Sequence, residues 1–386
     1  MAGTWMQVVA QGWLVLQLSG SSTLLGVVTA CQFLPVTFFG PLGGVIVDRF
    51  DTRKLLMATQ AAAAALALLL GLLTVTDLVQ LWMVFAVAIG LGFVTVVDNP
   101  ARMTFVLELV GPELVSNAIT LNSVNLNAAR VVGPAIAALT IAVVGVGPCF
   151  VLNAGSYLAV ILALAMLDGR SIHPKVITPR ARGQVREGLR YVWRTPALRT
   201  PLLMMALIGT LAYEFQVILP VMAKYTFGGD AGTYGIMTAA MGIGAVLGGL
   251  VVAGKGSHGL DALVRVSMAF GVVIALVAVS PTLPVALAAL VLVGAASITF
   301  LARANTTLQL SADPLMRGRV MALWTVAFLG TTPIGGPIVG FIAQYAGPRW
   351  AMATAAFSCF GAAGLGASRN WIATRRSAAE PAAATG

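Results

Sequence analysis

Apolar residues run along this chain in long blocks parted by short polar breaks, with no two-residue alternation. Twelve blocks can be drawn, at 1–18, 22–47, 55–76, 78–98, 117–144, 149–167, 201–223, 232–254, 260–280, 284–303, 319–344 and 349–368. About twenty apolar residues coil into a helix long enough to cross the roughly 30 Å hydrocarbon core of a bilayer. The pattern therefore predicts an all-α membrane protein of twelve spans. The first block opens from Met1 directly into Gly3-Thr4-Trp5-Met6-Gln7 without a basic flank. It is not a signal peptide, and the reading expects a truncated first helix whose native start lies upstream.

Composition narrows the solvent to lipid. Hydrophobic residues make up 59% of the 386 and charged residues 9%, against about 25% charged in soluble domains. Mean hydropathy is +0.93. Disordered chains, secreted disulfide scaffolds and most cytosolic enzymes are excluded. Cys31, Cys149 and Cys359 are scattered in apolar runs, so no metal site or cofactor is expected.

Charge sets the orientation. Of 23 Lys and Arg residues, twenty fall in the loops after even-numbered spans or in the C-terminal tail. Lys224 and Arg349 alone follow odd-numbered spans, and Arg130 lies within span five. By the positive-inside rule both termini face the cytoplasm. The net charge of +10 is then topological, and nucleic acid is not a partner.

The longest hydrophilic stretch divides the spans six and six. This gives an N-terminal bundle at 1–168, a cytoplasmic basic linker at 169–200, a C-terminal bundle at 201–368 and a cytoplasmic tail at 369–386. Arg182, Arg186, Arg190 and Arg194 recur every four residues opposite Val185, Leu189 and Val192. That spacing predicts an amphipathic helix on the anionic inner leaflet. The halves also echo each other. Gly133-Pro134 is answered by Gly336-Pro337, Pro112 by Pro314, and Gly40xxxGly44 by Gly244xxxGly248, at offsets of 203, 202 and 204. Two pseudo-symmetric six-helix bundles are the architecture of a rocking transporter, with the Gly-Pro pairs as hinge and packing points.

The turn Gly43-Gly44-Val45-Ile46-Val47-Asp48-Arg49-Phe50-Asp51-Thr52-Arg53-Lys54 resembles the loop 2–3 signature of the major facilitator superfamily. Gln32-Phe33-Leu34-Pro35, Asp98-Asn99-Pro100-Ala101-Arg102, Asn127-Ala128-Ala129-Arg130-Val131-Val132-Gly133-Pro134 and Arg317-Gly318-Arg319-Val320-Met321 are similar to its drug and siderophore exporters, the enterobactin-exporter-like and macrolide-efflux-like branch. The resemblance implies the major facilitator fold and proton-driven antiport. Two departures bear on the coupling ion: Ala129, Ala137 and Ala138 stand where the branch carries more glycine, and span four lacks a mid-membrane arginine. Gly249 to Lys255 resembles a phosphate-binding loop, but Gly256 replaces the Ser/Thr that would meet magnesium.

Polar groups inside the spans mark the expected site. An arginine at mid-membrane costs about 2.5–3.5 kcal/mol on insertion scales, so Arg130, with Asn125 and Asn127 near it, is expected to face a wet cavity. Glu214, between Tyr213 and Gln216, is expected to exchange the coupling proton. Gln7, Gln11 and Gln32 add uncharged cavity contacts. Gly44, Asp48, Arg49, Arg53, Asp98 and Arg102 are expected to form a conformational latch at the cytoplasmic face, with Asp98 pairing to Arg49 or Arg53. The function read from these features is a monomeric, non-enzymatic secondary transporter of the bacterial inner membrane. It exports amphipathic small molecules by proton antiport. A dedicated siderophore exporter is the alternative, and a non-transporting receptor or scaffold the third reading.

Overall fold

A computed structural model describes residues 1–167, 184–253, 259–313, 316–328 and 330–383. Side chains at position 41, at many positions of 111–127, and at 184–186, 251–253 and 370–383 fall outside that description. The expectations for Asn127, Arg182 and Arg186, for the Pro112–Pro314 echo and for the connector at 168–183 lie there too. All described secondary structure is helical.

The first hairpin shows how short polar breaks turn apolar runs into antiparallel helices. Helix α1 (Ala2–Ser19) ends at Gly20, whose left-handed φ of 62° lets its N–H close on the Leu16 carbonyl. Ser21 then caps α2 (Ser22–Arg49) by accepting from Leu24 N, and Asp51 caps α3 (Thr52–Val75) by accepting from Lys54 N. Helix α4 runs Leu81–Val144 and absorbs the predicted spans four and five. Straight, 64 residues would reach about 96 Å, three times a bilayer's hydrocarbon. Its two ends nevertheless meet, because Val75 just before it packs on Gly147 just after it. The chain thus enters along Leu81–Val110 and returns along Ala128–Val144. Helix α5 (Gly147–Met166) completes this half.

The linker helix α6 (Gln184–Arg194) leads to α7 (Pro196–Leu211) and α8 (Phe215–Val221), which ends in a π-helical turn, Met222–Thr226. Helices α9 (Ala231–Ala253), α10 (Leu260–Val279) and α11 (Leu283–Ser311) follow. Predicted span eleven is split into α12 (Arg317–Phe328) and α13 (Thr332–Tyr345), and α14 runs Pro348–Ala383. Ten described segments are long and apolar enough to cross a membrane, and Ala128–Val144 is a shorter one. Helix α1, more polar because of Gln7, Gln11 and Gln17, completes the twelve. Outward-facing Leu69, Leu162, Met166, Leu250 and Phe357 are exposed as large apolar side chains, the surface a lipid solvent calls for.

The halves meet reciprocally. Helix α2 packs along α13, and α9 packs along α4. Since α9 repeats α2 and α13 repeats the returning limb of α4, these are the same two surfaces exchanged. Glycine makes both seams close: a Cβ on Gly26 would strike the Gly336 backbone, and one on Gly235 would strike Ala138 and the Pro134 carbonyl.

The linker helix differs from expectation in which side it packs. Val192 is buried, Gly188 lies against Arg319, Glu187 pairs with Arg319 at 2.8 Å, and Tyr191 Oη accepts from Asp313 N at 3.1 Å. Leu189 and Trp193, four residues apart, are left exposed. The small residue Gly188 admits the helix to α12 along its own side, which turns Leu189 outward.

Candidate functional site

A cavity of about 450 Å³ lies between the halves. It reaches Met1, Asp98 and Arg102 at the face that carries Arg49 and Arg53, called here the basic face. At the far face it is shut by bonds that cross between halves. Lys224 Nζ donates to the Leu16 carbonyl at 2.9 Å, Tyr225 Oη to the Gly20 carbonyl at 2.8 Å, and Ser22 N to Gln344 Oε1 at 2.7 Å. A cation over the last carbonyls of α1 is also favoured by the helix dipole. Another cation at the far face does the same within its own half: Arg349 donates to the Ala278 and Ser280 carbonyls at the end of α10.

Glu214 sits where predicted span seven breaks between α7 and α8. Its backbone carbonyl starts α8 by accepting from Val217 and Ile218, and its side chain is 2% exposed with Oε1 lacking a hydrogen-bond partner. Gly335 and Gly336 of α13 make room for it, since a Cβ on Gly335 would stand 2.9 Å from Glu214 Oε1. Beside it Tyr213 donates to the Ser297 carbonyl at 2.9 Å and stacks edge-on with Phe328. This wall is aromatic and carries one carboxyl group.

Arg130 reaches the cavity from α4, its guanidinium carbon 5.3 Å from the centre of the Trp5 ring, with Nε buried and unpartnered. Leu126, one turn before it, also lines the cavity. Asn125 is exposed and lies outside the lining, because five positions along a helix turn it about 140° from Arg130. Gln7, Gln11, Gln32 and Gln216 all line the cavity, and Gln11 Nε2 donates to Gln32 Oε1 at 3.3 Å.

The latch residues are arranged otherwise than expected. Asp98 does not pair with Arg49 or Arg53. It pairs with Arg102 at 2.8 Å on its own helix, while Oδ1 accepts from Thr59 and from Gln60 at 2.8 and 2.6 Å. Arg53 instead donates to the Leu164 and Ala165 carbonyls at the end of α5. A nearby acid and a bare helix C-terminus compete for one guanidinium, and here the helix end wins. Asp48 and the exposed Arg49 lie at the end of α2. Gly40 meets open space, and the close approach of α2 to α4 is made by Gly43 at the Val96 carbonyl. Gly133 admits α1 at Trp5, and Gly336 admits α2 at Gly26, with Pro134 and Pro337 next to these contacts. Sequence reasoning passed over Asn153, a fully buried polar residue inside span six, and gave Lys224 no role, although each is a polar group interrupting an apolar run.

A cavity sealed at one end and open at the other, between halves that repeat each other, defines a multi-pass membrane transporter of small molecules with the major facilitator fold. The chain belongs to the transmembrane secretion effector family of that superfamily, whose model matches residues 1–382. It is 29% identical over 361 residues to the multidrug efflux pump Tap of Mycolicibacterium fortuitum, covering 90% of this chain and 87% of that one. It is 25% identical over 261 residues to the staphyloferrin A transporter of Staphylococcus aureus, covering 65% and 63%. The fold is shared with the nucleoside transporter NupG, with a TM-score of 0.74 at 12% identity over 95% of this chain and 97% of that one. It is also shared with an inward-facing, unoccupied bacterial homologue of the lysosomal transporter Spinster, at 0.71 and 13% over 97% and 95%.

Proposed function

We propose that the chain exports amphipathic small molecules across the bacterial plasma membrane, driven by protons returning through the same cavity. The basic face lies in the cytoplasm, with both termini, as the positive-inside rule requires. The observation that carries the reading is Glu214: an acid with an unpartnered oxygen, held at a break in a span and lining a cavity that reaches the basic face. A substrate entering from the cytoplasm displaces the proton from Glu214. The halves then rock about the α2–α13 and α4–α9 seams, the far face parts, and Glu214 is reprotonated as the substrate leaves. One proton falling through about 100 mV supplies about 2.3 kcal/mol, enough for a roughly fiftyfold substrate gradient. Leu189 and Trp193 rest in the anionic inner leaflet with Arg190 and Arg194 beside them, the chain works as a monomer, and the spans divide at the 169–200 linker.

The test is uptake into inverted vesicles under an imposed pH gradient. The wild type is expected to accumulate a dye only with the gradient, and Glu214→Gln to lose that dependence while still binding the dye. Gradient-driven uptake by Glu214→Gln removes the coupling role. A second reading, export of an anionic siderophore, is favoured by Arg130 in the cavity and by the staphyloferrin A relative. It predicts a growth defect of the deletion strain under iron limitation but unchanged drug susceptibility.

A further inference from the structure

The cavity's two walls differ in kind, and the wall from the N-terminal half carries a polar relay that coupling does not use. Gln7 is 4% exposed and lines the cavity, yet its Nε2 is buried with no partner. Its orientation is dictated from behind. The single Ser156 hydroxyl proton is shared between the Asn153 backbone carbonyl at 2.8 Å and Asn153 Oδ1 at 2.9 Å, and Asn153 Nδ2, fully buried, donates to Gln7 Oε1 at 2.5 Å. With its oxygen taken from behind, the Gln7 amide can offer only N–H donors forward. Gly3, one turn before Gln7, is what lets α1 sit on this relay, because a Cβ there would collide with Asn153 Oδ1 and Ser156 Oγ. Two residues and one glycine are thus spent on fixing a single amide whose donor has nothing to bind.

We propose that Gln7 is a specificity-determining residue that donates to an uncharged oxygen of the ligand, a carbonyl, ether or hydroxyl, and that Asn153 is its positioning residue. A ligand filling both walls places such an oxygen at Gln7 and a hydrogen-bond donor or cation at Glu214, with its apolar body along Phe215 and Phe328. Cations built only of hydrocarbon satisfy the second wall and leave the first orphaned. The inference rests on the exporter reading and adds to it the chemistry of the preferred ligand. Discrimination of this kind is steep, since a site that must hydrogen-bond a group rejects an analogue lacking it.

Equilibrium dialysis of the purified full-length protein against two radiolabelled cations tests it: tetraphenylphosphonium, which has no hydrogen-bonding oxygen, and puromycin, which has several. Gln7→Met and Asn153→Leu are each expected to weaken puromycin about tenfold, the worth of one buried hydrogen bond, and to leave tetraphenylphosphonium within about twofold. Retained tetraphenylphosphonium binding also reports an intact cavity. Gly3→Ala, which touches the relay and not the ligand, should reproduce the selective loss. Unchanged puromycin binding, or equal loss of both probes, overturns the inference. So does a wild type that binds tetraphenylphosphonium alone, an outcome that leaves the exporter reading standing. Binding of neither probe by the wild type brings down the exporter reading, and this inference with it.

Discussion

The two ends of the cavity use the same kinds of residue to opposite effect. At the far end, Lys224, Tyr225 and Gln344 of one half bind backbone groups at Leu16, Gly20 and Ser22 of the other. At the basic end the described bonds run within the N-terminal half, Asp98 to Arg102, Thr59 and Gln60 and Arg53 to Leu164 and Ala165, or from the linker helix to the C-terminal half, Glu187 to Arg319. Among the described residues, polar side chains named here therefore tie the halves together at one end and brace parts of the same half at the other. Whether a group stabilises a state of the molecule or merely its parts depends on which side of the seam its partner stands.

That contrast can be broken most severely at the seam itself. Gly26→Leu drives a side chain into the Gly336 backbone, where overpacking costs about 1–3 kcal/mol or more. Vesicle uptake should fall to background, and a cysteine placed at Ser22 should become reactive to an impermeant maleimide at the far face. Wild-type reactivity in that variant means the seam has slack the glycines do not reveal. Lys224→Met removes one charge-assisted bond, worth about 1.5–3 kcal/mol when intact, and should shift the ratio of open to closed far ends about tenfold. Distances between spin labels on the two halves read that ratio directly.

Smaller effects sharpen the comparison. Asp230 caps α9 near the far end, but its bonds to Thr233 and to the Gly232 N–H stay within its own half. Asp230→Ala should cost about 1 kcal/mol of stability and leave the ratio unchanged. The Thr233 N–H holds the Asp230 carboxyl below its ordinary value, so this contribution is full above about pH 4. It fades as pH falls through the lowered folded value, and melting curves of variant and wild type should converge in acid. Asp98→Asn, at the basic end, breaks a partly exposed pair with Arg102 worth about 0–1 kcal/mol. It should lower the melting temperature by no more than a few degrees with no change in spin-label distances. A tenfold shift there would make the basic end a latch after all.

The spans were legible because lipid imposes a crude and lengthy demand, some twenty apolar residues at a time. Arg130 and Glu214 stood out for the same reason, each being expensive where it sits. The partners of the charges were not legible. Asp98 lies within reach of several cations in any sketch of the loops, and its choice of Arg102 follows from α4 staying helical past Pro100, which a count of apolar blocks does not reveal. Asn153 was missed because its importance lies in pointing at Gln7, 146 positions away. The Gly-Pro echoes signalled repetition, yet only the packed helices show that Gly335 and Gly336 are shaped around Glu214 and Gly26.

The exchange of surfaces between α2–α13 and α9–α4 has a consequence for the chain's ancestry and engineering. A surface that fits its own duplicate is isologous, as in a symmetric dimer, so neither seam depends on the covalent link between the bundles. Two half-length genes joined by a connector between α5 and α7 would account for this architecture. Severed at that connector, the two fragments carry between them every surface needed to find each other again in the bilayer.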